Sequence, residues 1–258
     1  MIYSSFPKNS FQKNKKQILK SVEKVLDSGN YINGNCLKNF ENNFAKYIGS
    51  KYALGVGNST DALLLSLKAV GVKENDEVLV PSHTAPATVI SILNCKAKPI
   101  FIDVNLDDYN MDYNLIEKNI TKNTKCLVIV HLYGQAANLN QILKISKKFN
   151  LKVIEDVSQS CGALYNKKKL GSFSDISCFS FFPTKNLSTI GDSGAIVSNN
   201  KNYINKIKML REYGWDANRN CQFVGINSRL DEVHAEILNH RLKNLDNENR
   251  ERIKIAKY

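Results

Sequence analysis

The chain has 258 residues, 43% of them hydrophobic, and a formal net charge of +12 at neutral pH. This length suffices for one large domain or two small ones. No apolar stretch could span a membrane and the N-terminal residues lack the apolar segment of a secretory signal, so we expect a cytoplasmic protein without membrane contact. The lysines stand among asparagines with little aromatic interleaving. We therefore expect no nucleic-acid partner, whereas a phosphorylated substrate is compatible with the charge.

The six cysteines occur singly, with no CxxC pair and no Cys/His cluster at the spacing of metal ligands. This pattern favours reduced thiols over a disulfide framework or a zinc site. We expect no bound metal.

Apolar periodicity predicts two N-terminal helices, at residues 12–28 and 36–48, followed by alternating strands and helices. The predicted strands cover residues 52–56, 76–82, 98–104, 125–132, 151–157, 174–181 and 194–198. The predicted helices between them cover residues 59–70, a segment ending at residue 94, and 138–150. This alternation indicates an α/β fold with a mainly parallel sheet, in which the last two strands could be antiparallel. Ligands of such sheets bind at the carboxyl ends of the strands.

The first strand ends in a turn, within "GVGNSTDALLLSL" at residues 55–67, and a helix is predicted to begin near Ser59 or Thr60. Backbone amides and hydroxyls at such a helix start can hold a phosphate. A simple helix N-cap is the alternative. The turn matches neither a dinucleotide-binding GxGxxG nor a Walker A loop.

Asp156 follows an apolar strand in "LKVIEDVSQSCGA", residues 151–163. A carboxylate at that position needs a cation or several hydrogen-bond donors. It could pair with a protonated ring nitrogen of a cofactor, or it could cap a helix or form a salt bridge. Gln159, three residues later, could contact a second polar group of the same ligand.

Lys185 follows an apolar run in "FSFFPTKNLSTIGDSGA", residues 179–195. Burial favours the neutral amine, which can attack a carbonyl and form an imine. A surface lysine with a buried stem is the alternative. Ser180 could add a contact to a phosphate. A phosphate cradle, a carboxylate and a lysine are together the three groups that pyridoxal phosphate requires.

From about residue 25 to the end, the sequence resembles the DegT/DnrJ/StrS nucleotide-sugar aminotransferases, which are fold-type-I pyridoxal-phosphate enzymes. The motifs that carry this resemblance are GNSTDAL, VLVPSHTAPATVISIL, IFIDV, VHLYGQ, VIEDVSQSCGA, FSFFPTKNLSTIGDSGAIV, LREYGW and GINSRLDEVHAEIL. The resemblance implies a three-layer large domain, with a mainly parallel sheet and helices on both faces. It also implies a homodimer with shared active sites.

The same resemblance implies a role for each motif residue. Lys185 would form the Schiff base with the cofactor, an internal aldimine, and would shuttle the proton. Asp156 would pair with the pyridine nitrogen, and Gln159 would contact the phenolic oxygen. The implied phosphate contacts are Ser59, Thr60 and Ser180, with Asp61 in the same turn, and Asn227, which would reach the phosphate in the neighbouring subunit.

The sequence departs from the family pattern at two points. Family members often carry an aromatic residue, stacked on the cofactor ring, where this chain has Ala85, and His83 is predicted to take over that role. A helix cap or a packed histidine is the alternative. The family also continues well beyond the length of this chain with a smaller C-terminal domain. Residues 1–240 are therefore predicted to form the cofactor-binding large domain, and residues 241–258 the start of a truncated small domain.

Four further residues are predicted to contact the substrate, and each has a structural alternative. His131 and Tyr133 could instead pack at a strand end, and Tyr213 could belong to an interface core. Arg229 could bind an anion, or it could pair with Asp231 or Glu232.

The implied reaction is transamination of a nucleotide-linked keto sugar, expected to be a keto-6-deoxyhexose, with glutamate as the amino donor. Its product would feed polysaccharide or glycoside assembly. One alternative is a non-catalytic remnant that dimerises or binds the cofactor. Another is a sugar dehydratase, although the resemblance implies that such relatives replace the lysine, commonly with histidine. A nicotinamide dehydrogenase would lack its glycine fingerprint and would give Lys185 no function.

Overall fold

The computed structural model describes residues 6–258. Its helices are α1 (Pro7–Ser28), α2 (Asn35–Ile48), α3 (Ser59–Ala69), α4 (Pro86–Asn94), α5 (Leu139–Lys148), α6 (Lys201–Leu210), α7 (Glu232–Leu242) and α8 (Leu245–Lys257). Its strands are β1 (Tyr52–Val56), β2 (Glu77–Pro81), β3 (Lys98–Ile102), β4 (Thr124–Val130), β5 (Lys152–Asp156), β6 (Leu164–Tyr165), β7 (Lys168–Lys169), β8 (Ile176–Ser180) and β9 (Gly194–Ser198).

Seven of the strands form one mixed sheet in the order β1-β9-β8-β5-β4-β2-β3, and β6 pairs with β7 in a small hairpin. The five strands β3, β2, β4, β5 and β8 run parallel, whereas β9 is antiparallel to both of its neighbours. The carboxyl ends of the parallel strands therefore meet at one edge, as the alternation predicted. The last two strands pair antiparallel with each other, and β8 itself is parallel to β5.

Side chains that alternate along each strand build a separate apolar core on each face of the sheet. In β4, Cys126 and Val128 belong to the core beneath α3, α4 and α6. Leu127 and Ile129 belong to the opposite core, beneath α2, α5 and α7. A strand that is apolar on both faces is typical of a buried parallel sheet. The predicted three-layer α/β architecture is confirmed.

The predicted strands all overlap the observed ones, and the differences are at helix ends, in two helices that were not predicted and in one short hairpin. α1 begins at Pro7, five residues before the predicted start. Apolar periodicity did not predict α6, α7 or the hairpin of β6 and β7. Two-residue strands carry no periodic signal, which explains why the hairpin escaped prediction.

The last two helices pack against the same core as α2. Leu242 at the end of α7 and Leu245 at the start of α8 both belong to that core. The predicted boundary after residue 240 falls inside α7. The assignment of residues 241–258 to a second domain stays a prediction.

All six cysteines are unpaired thiols, and five of them are buried. Within residues 6–258 no helix is both long and apolar enough to cross a membrane. The same residues hold no group of three or more His, Cys, Asp or Glu side chains that could bind a metal ion.

Candidate active site

Asp156 is the last residue of β5 and lies almost buried, with 5% of its surface exposed. Its Oδ1 accepts a hydrogen bond from the backbone N–H of Ser158 at 3.0 Å, and its Oδ2 accepts one from Thr88 Oγ1 at 3.2 Å. Thr88, in α4, is fully buried, and its Oγ1 lies 2.8 Å from Oγ1 of Thr84, which precedes that helix, so a chain of two hydroxyls holds the carboxylate. No cation among the described residues pairs with Asp156. A buried carboxylate with hydrogen bonds but no counter-ion can receive a cationic ligand.

Lys185 lies in the irregular segment after β8, near the strand edge that carries Asp156, and its side chain is partly buried. Its backbone N–H donates to the carbonyl of Phe182 at 2.8 Å. Within residues 6–258 its Nζ forms neither a hydrogen bond nor an ion pair. The amine is thus free to bond to a ligand.

The turn after β1 has a cap that the sequence analysis did not assign. α3 begins at Ser59 as predicted, but its N-cap is Asn58, whose Oδ1 accepts the backbone N–H of Asp61 at 2.8 Å. Asn58 Nδ2 donates to Asp61 Oδ2 at 3.0 Å, so the Asp61 carboxylate closes the turn. In the described chain the hydroxyls of Ser59 and Thr60 form no hydrogen bond, and they are left for a ligand. The signal for this cap was an asparagine placed three residues before an acidic residue.

Two close approaches bring this turn to the end of β8. Ser180, 7% exposed, ends β8 and pairs with Gly194, which in turn pairs with Val56 at the end of β1. A Cβ on Gly194 would lie 2.8 Å from the backbone of Asn58, so only glycine fits there. Ser180 Oγ accepts a long hydrogen bond of 3.4 Å from Phe182 N–H, and its own proton remains available to a ligand.

Three predicted residues meet across the ends of β2, β4 and β5. His83 Nε2 lies 3.1 Å from Tyr133 Oη, and the backbone N–H of Tyr133 donates to Gln159 Oε1 at 2.9 Å. Tyr133 has a φ of +54°, in the left-handed region that non-glycine residues seldom adopt. His83 is exposed and does not cap α4, whose N-cap is Ala85.

His131 does not reach the open edge, which corrects its prediction as a substrate contact. Its ring is fully buried, and its Nε2 donates to Glu155 Oε2 at 3.0 Å. Its Nδ1 accepts the backbone N–H of Ala137 at 3.1 Å, so this nitrogen carries no proton and the ring is neutral. His131 therefore packs beneath the site, which was the stated alternative.

The partner of that histidine, Glu155, was missed by the sequence analysis. The Glu155 carboxylate is fully buried and accepts five hydrogen bonds. The donors are His131 Nε2, the backbone N–H groups of Gly171, Phe173 and Ser174, and Ser177 Oγ. Burial would raise the pKa of this carboxyl, but hydrogen bonds, first that from His131, hold the pKa below its ordinary value.

Tyr213, Asn227 and Arg229 belong to one folded segment that borders the turn after β1. Tyr213 N–H donates to the Ile226 carbonyl at 3.0 Å, and Asn227 forms an antiparallel bridge with Glu212. Arg229 pairs with Glu212 at 3.4 Å rather than with Asp231 or Glu232.

A serine from the same segment ties it to that turn, because Ser228 Oγ accepts the backbone N–H of Gly57 at 3.0 Å. The Glu232 carboxylate instead accepts hydrogen bonds from the backbone N–H groups of Gly34, Cys36 and Leu37 at the start of α2. Among the described residues none of Tyr213, Asn227 and Arg229 hydrogen-bonds to Lys185 or Asp156. Asn227 and Tyr213 are exposed.

Replacing Thr88 by valine tests whether the hydroxyl chain orients Asp156. The variant loses the 3.2 Å bond to Oδ2 and keeps the Ser158 bond to Oδ1. We expect the affinity for pyridoxal phosphate, measured by titration of its visible absorbance, to fall about tenfold, the value of one lost hydrogen bond to a charged group. The matched variant Thr84→Val keeps the bond from Thr88 to Asp156 and should change the affinity less. Equal affinities for the Thr88→Val variant and the unaltered chain would show that Thr88 does not orient Asp156.

The profile of the DegT/DnrJ/EryC1/StrS aminotransferase family matches residues 12–258. A dTDP-3-amino-3,6-dideoxy-alpha-D-galactopyranose transaminase from Aneurinibacillus thermoaerophilus is 44% identical over 243 residues, covering 94% of this chain and 67% of that protein. A dTDP-3-amino-3,4,6-trideoxy-alpha-D-glucose transaminase from Micromonospora megalomicea subsp. nigra is 41% identical, covering 92% of this chain and 63% of that protein.

Solved structures of this family superpose closely on the fold. DesV from S. venezuelae, solved in complex with a ketimine intermediate, has a TM-score of 0.92 at 36% identity and covers 94% of this chain and 65% of that one. NtdA from Bacillus subtilis, solved with its bound cofactor PMP, has a TM-score of 0.86 at 32% identity and covers 90% of this chain and 53% of that one. This chain thus spans about two thirds or less of the length of these relatives. By its sequence and by its fold, the chain belongs to the DegT/DnrJ/EryC1/StrS aminotransferase family.

Proposed function

We propose that this protein transfers an amino group to a nucleotide-linked keto sugar, with pyridoxal phosphate as its cofactor and glutamate as the amino donor. Two observations on residues 6–258 carry the proposal. The buried carboxylate of Asp156 at the end of β5 has no counter-ion there, and the amine of Lys185, in the segment after the neighbouring strand β8, has no hydrogen-bond or ion-pair partner there. The transaminases with 44% and 41% identity are named for dTDP-linked deoxy amino sugars. Their names support a keto-6-deoxyhexose as the substrate.

The side chains present fit this cofactor. Asp156 would accept the proton-bearing ring nitrogen, and Gln159 would donate to the phenolic oxygen with its amide NH₂ group, because its Oε1 already accepts Tyr133 N–H. Ser158 Oγ, between these two residues in sequence, is buried and has no partner among the described residues, which leaves one more polar atom for a ligand. The phosphate would be held by the hydroxyls of Ser59, Thr60 and Ser180.

Asp61 would act on that phosphate only indirectly. Its carboxylate is engaged with Asn58 Nδ2, so it orders the turn and adds no donor. His83, exposed beside Tyr133, would cover one face of the ring.

Bound pyridoxal phosphate withdraws electrons from the carbon that bears the reacting nitrogen. The chain's own residues bind, orient and move protons. Lys185 Nζ would take and return the proton of that carbon, since this amine has no hydrogen-bond or ion-pair partner among the described residues. Asp156, fixed by Thr88 and by the Ser158 amide, would hold the ring and keep it protonated. His131 and Glu155 would support Asp156 from beneath.

The proposal includes a cytoplasmic homodimer whose two chains complete each other's sites. Asn227 lies exposed on a segment fixed to the turn after β1 through Ser228, where a residue could extend to a second copy. Tyr213, Tyr133 and Arg229 would contact the sugar or its nucleotide. The reaction would supply amino sugars for polysaccharide or glycoside assembly.

A sugar dehydratase is the second candidate within this fold. The solved structure of a GDP-4-keto-6-deoxymannose-3-dehydratase, with a trapped PLP-glutamate adduct, has a TM-score of 0.82 at 28% identity. The lysine at position 185 favours amino transfer over dehydration. A non-catalytic remnant is the third candidate, since the chain spans about two thirds of the length of its relatives.

Mass spectrometry of the products distinguishes these candidates. The chain is incubated with pyridoxal phosphate, glutamate and a panel of nucleotide-linked keto sugars. Replacement of the ketone oxygen by an amino group, with 2-oxoglutarate formed in equal amount, is the expected result. Loss of water from the sugar without gain of nitrogen would support the dehydratase instead, and cofactor binding without any product would support the remnant.

A further inference from the structure

The segment that follows Lys185 has no regular secondary structure, yet most of it is buried and anchored from α7 and α8. Arg241 Nη1 of α7 donates to the backbone carbonyl of Ser188 at 2.7 Å and to its Oγ at 2.6 Å. Thr189 Oγ1 lies 2.9 Å from His234 Nδ1, also of α7. Three side chains from the last two helices therefore hold residues 186–189, the third being Asn249 of α8.

Asn249 contacts the residue adjacent to Lys185. Asn186 Nδ2 donates to Asn249 Oδ1 at 3.0 Å and to the backbone carbonyl of Cys161 at 2.5 Å, and Asn249 Nδ2 donates to the same carbonyl at 3.1 Å. The two amides thus close a ring of hydrogen bonds on one carbonyl oxygen. This ring fixes the side chain of Asn186, and one peptide bond joins Asn186 to Lys185.

The approach of α8 to this carbonyl depends on a glycine. Gly162 has a φ of +89°, and a Cβ there would lie 2.5 Å from Tyr47 Oη and 2.7 Å from Asn249 Nδ2. Two contacts of Asp246 also fix the start of α8. Asp246 Oδ1 accepts Tyr47 Oη at 2.5 Å and Lys169 Nζ at 2.8 Å, so the helix keeps its position without Asn249.

We propose that Asn249 is a positioning residue that, through Asn186, fixes the Lys185 amine at the edge that carries Asp156. This inference rests on the proposed function for the role of the amine, but the placement of residues 186–189 can be measured without any cofactor. Neither asparagine touches Lys185 Nζ, so the effect is exerted through the backbone. Both are amides, so the link carries no charge that titrates.

Hydrogen exchange on the full 258-residue chain tests the proposal, with Asn249→Ala compared with Asn186→Ala and with the double variant. In Asn249→Ala we expect amide exchange in residues 186–189 to rise about tenfold, as for one lost hydrogen bond, while exchange in α8 stays unchanged. At a fixed concentration of pyridoxal phosphate, borohydride trapping at Lys185 should slow by a similar factor. The double variant should loosen residues 186–189 no more than Asn186→Ala does, because Asn186→Ala already removes both hydrogen bonds of the Asn186 side chain.

The matched control is Asn247→Ala, which makes the same substitution on the exposed face of α8, where Asn247 contacts Arg250. It should leave exchange and trapping unchanged. Unchanged exchange of residues 186–189 in Asn249→Ala would overturn the proposal, as would equal loosening of α8, because the role of Asn249 would then be structural. Failure of the unaltered chain to trap the cofactor at Lys185 would overturn the proposed function and would be seen separately from the exchange result.

Discussion

Replacing Lys185 by alanine is expected to lower the rate of amino transfer by roughly a thousandfold or more, the scale of losing a positioned general acid–base group. The amine has no hydrogen-bond or ion-pair partner within residues 6–258, so its removal breaks no polar contact of the described fold. The free energy of unfolding should therefore stay within about 0.5 kcal/mol of the unaltered chain. The variant should still bind pyridoxal phosphate, because Asp156, Gln159 and the phosphate contacts are untouched, but without a covalent link.

Two measurements check this expectation. Borohydride reduction followed by peptide mapping should label the peptide that contains Lys185 in the unaltered chain and no peptide in the variant. The product assay with glutamate and a keto sugar gives the rate. Lys168→Ala, which removes an exposed lysine of β7, serves as the control and should keep both label and activity. A Lys185→Ala chain that still transfers amino groups at the normal rate would refute the role of this amine.

The sequence allowed the position of the candidate site in the fold to be predicted, because the α/β pattern fixes where the strands end. Asp156 follows an apolar strand, and a parallel sheet places the ends of such strands at one edge. The helix after β1 begins at Ser59 as predicted, since a strand followed by polar turn residues is a local signal. His83, Tyr133 and Gln159 also meet at this edge. Their roles toward a ligand stay predictions.

The contacts that hold those residues could not be predicted, because they join distant parts of the chain. Thr88 reaches Asp156 across 68 positions, and Asn186 reaches Asn249 across 63. Neither side chain carries a local pattern that marks its partner. Glu232 shows the same limit, because its carboxylate caps α2 about 196 positions away. Only the packing of α7 against α2 brings the two together.

His131 shows why a polar residue at a strand end is ambiguous. In the sequence His131 directly follows β4, and the residues that follow the strands of a parallel sheet commonly bind its ligands. In the structure its two ring nitrogens are satisfied by Glu155 and by a backbone N–H, and its ring is fully buried. Asp156 and Glu155 are neighbours on one strand, so their side chains point to opposite faces. Alternation along β5 therefore places Asp156, which we propose binds the ligand, and Glu155, which accepts hydrogen bonds within the fold, on opposite faces of the sheet.

Replacing Glu155 by glutamine is expected to destabilise the chain at pH 7 by about 3 kcal/mol, the scale of breaking a buried charge-assisted hydrogen-bond network. Five donors converge on this carboxylate, and each of its oxygens accepts at least two of them. The amide NH₂ group of glutamine would point at N–H donors on one side. Urea unfolding of the two chains gives the difference. The control is Glu117→Gln, which removes one partner of an exposed pair with Lys148 and should cost about 0.5 kcal/mol or less.

The pH dependence of the difference in unfolding free energy between the Glu155→Gln variant and the unaltered chain tests whether the ionised carboxylate causes that difference. Burial would raise the pKa of the Glu155 carboxyl, but hydrogen bonds from His131, Gly171 and Ser174 hold it below its ordinary value of 4.5. A pKa that is lower in the folded chain contributes stability above pH 4.5, and this contribution is lost as the pH falls through the lowered pKa. The glutamine variant has no such titration. The gap in unfolding free energy between the two chains should therefore be constant from pH 7 to about 5 and should shrink below pH 4.5. A gap that stays the same or widens in acid would mean that the ionised form of Glu155 is not what the five donors stabilise.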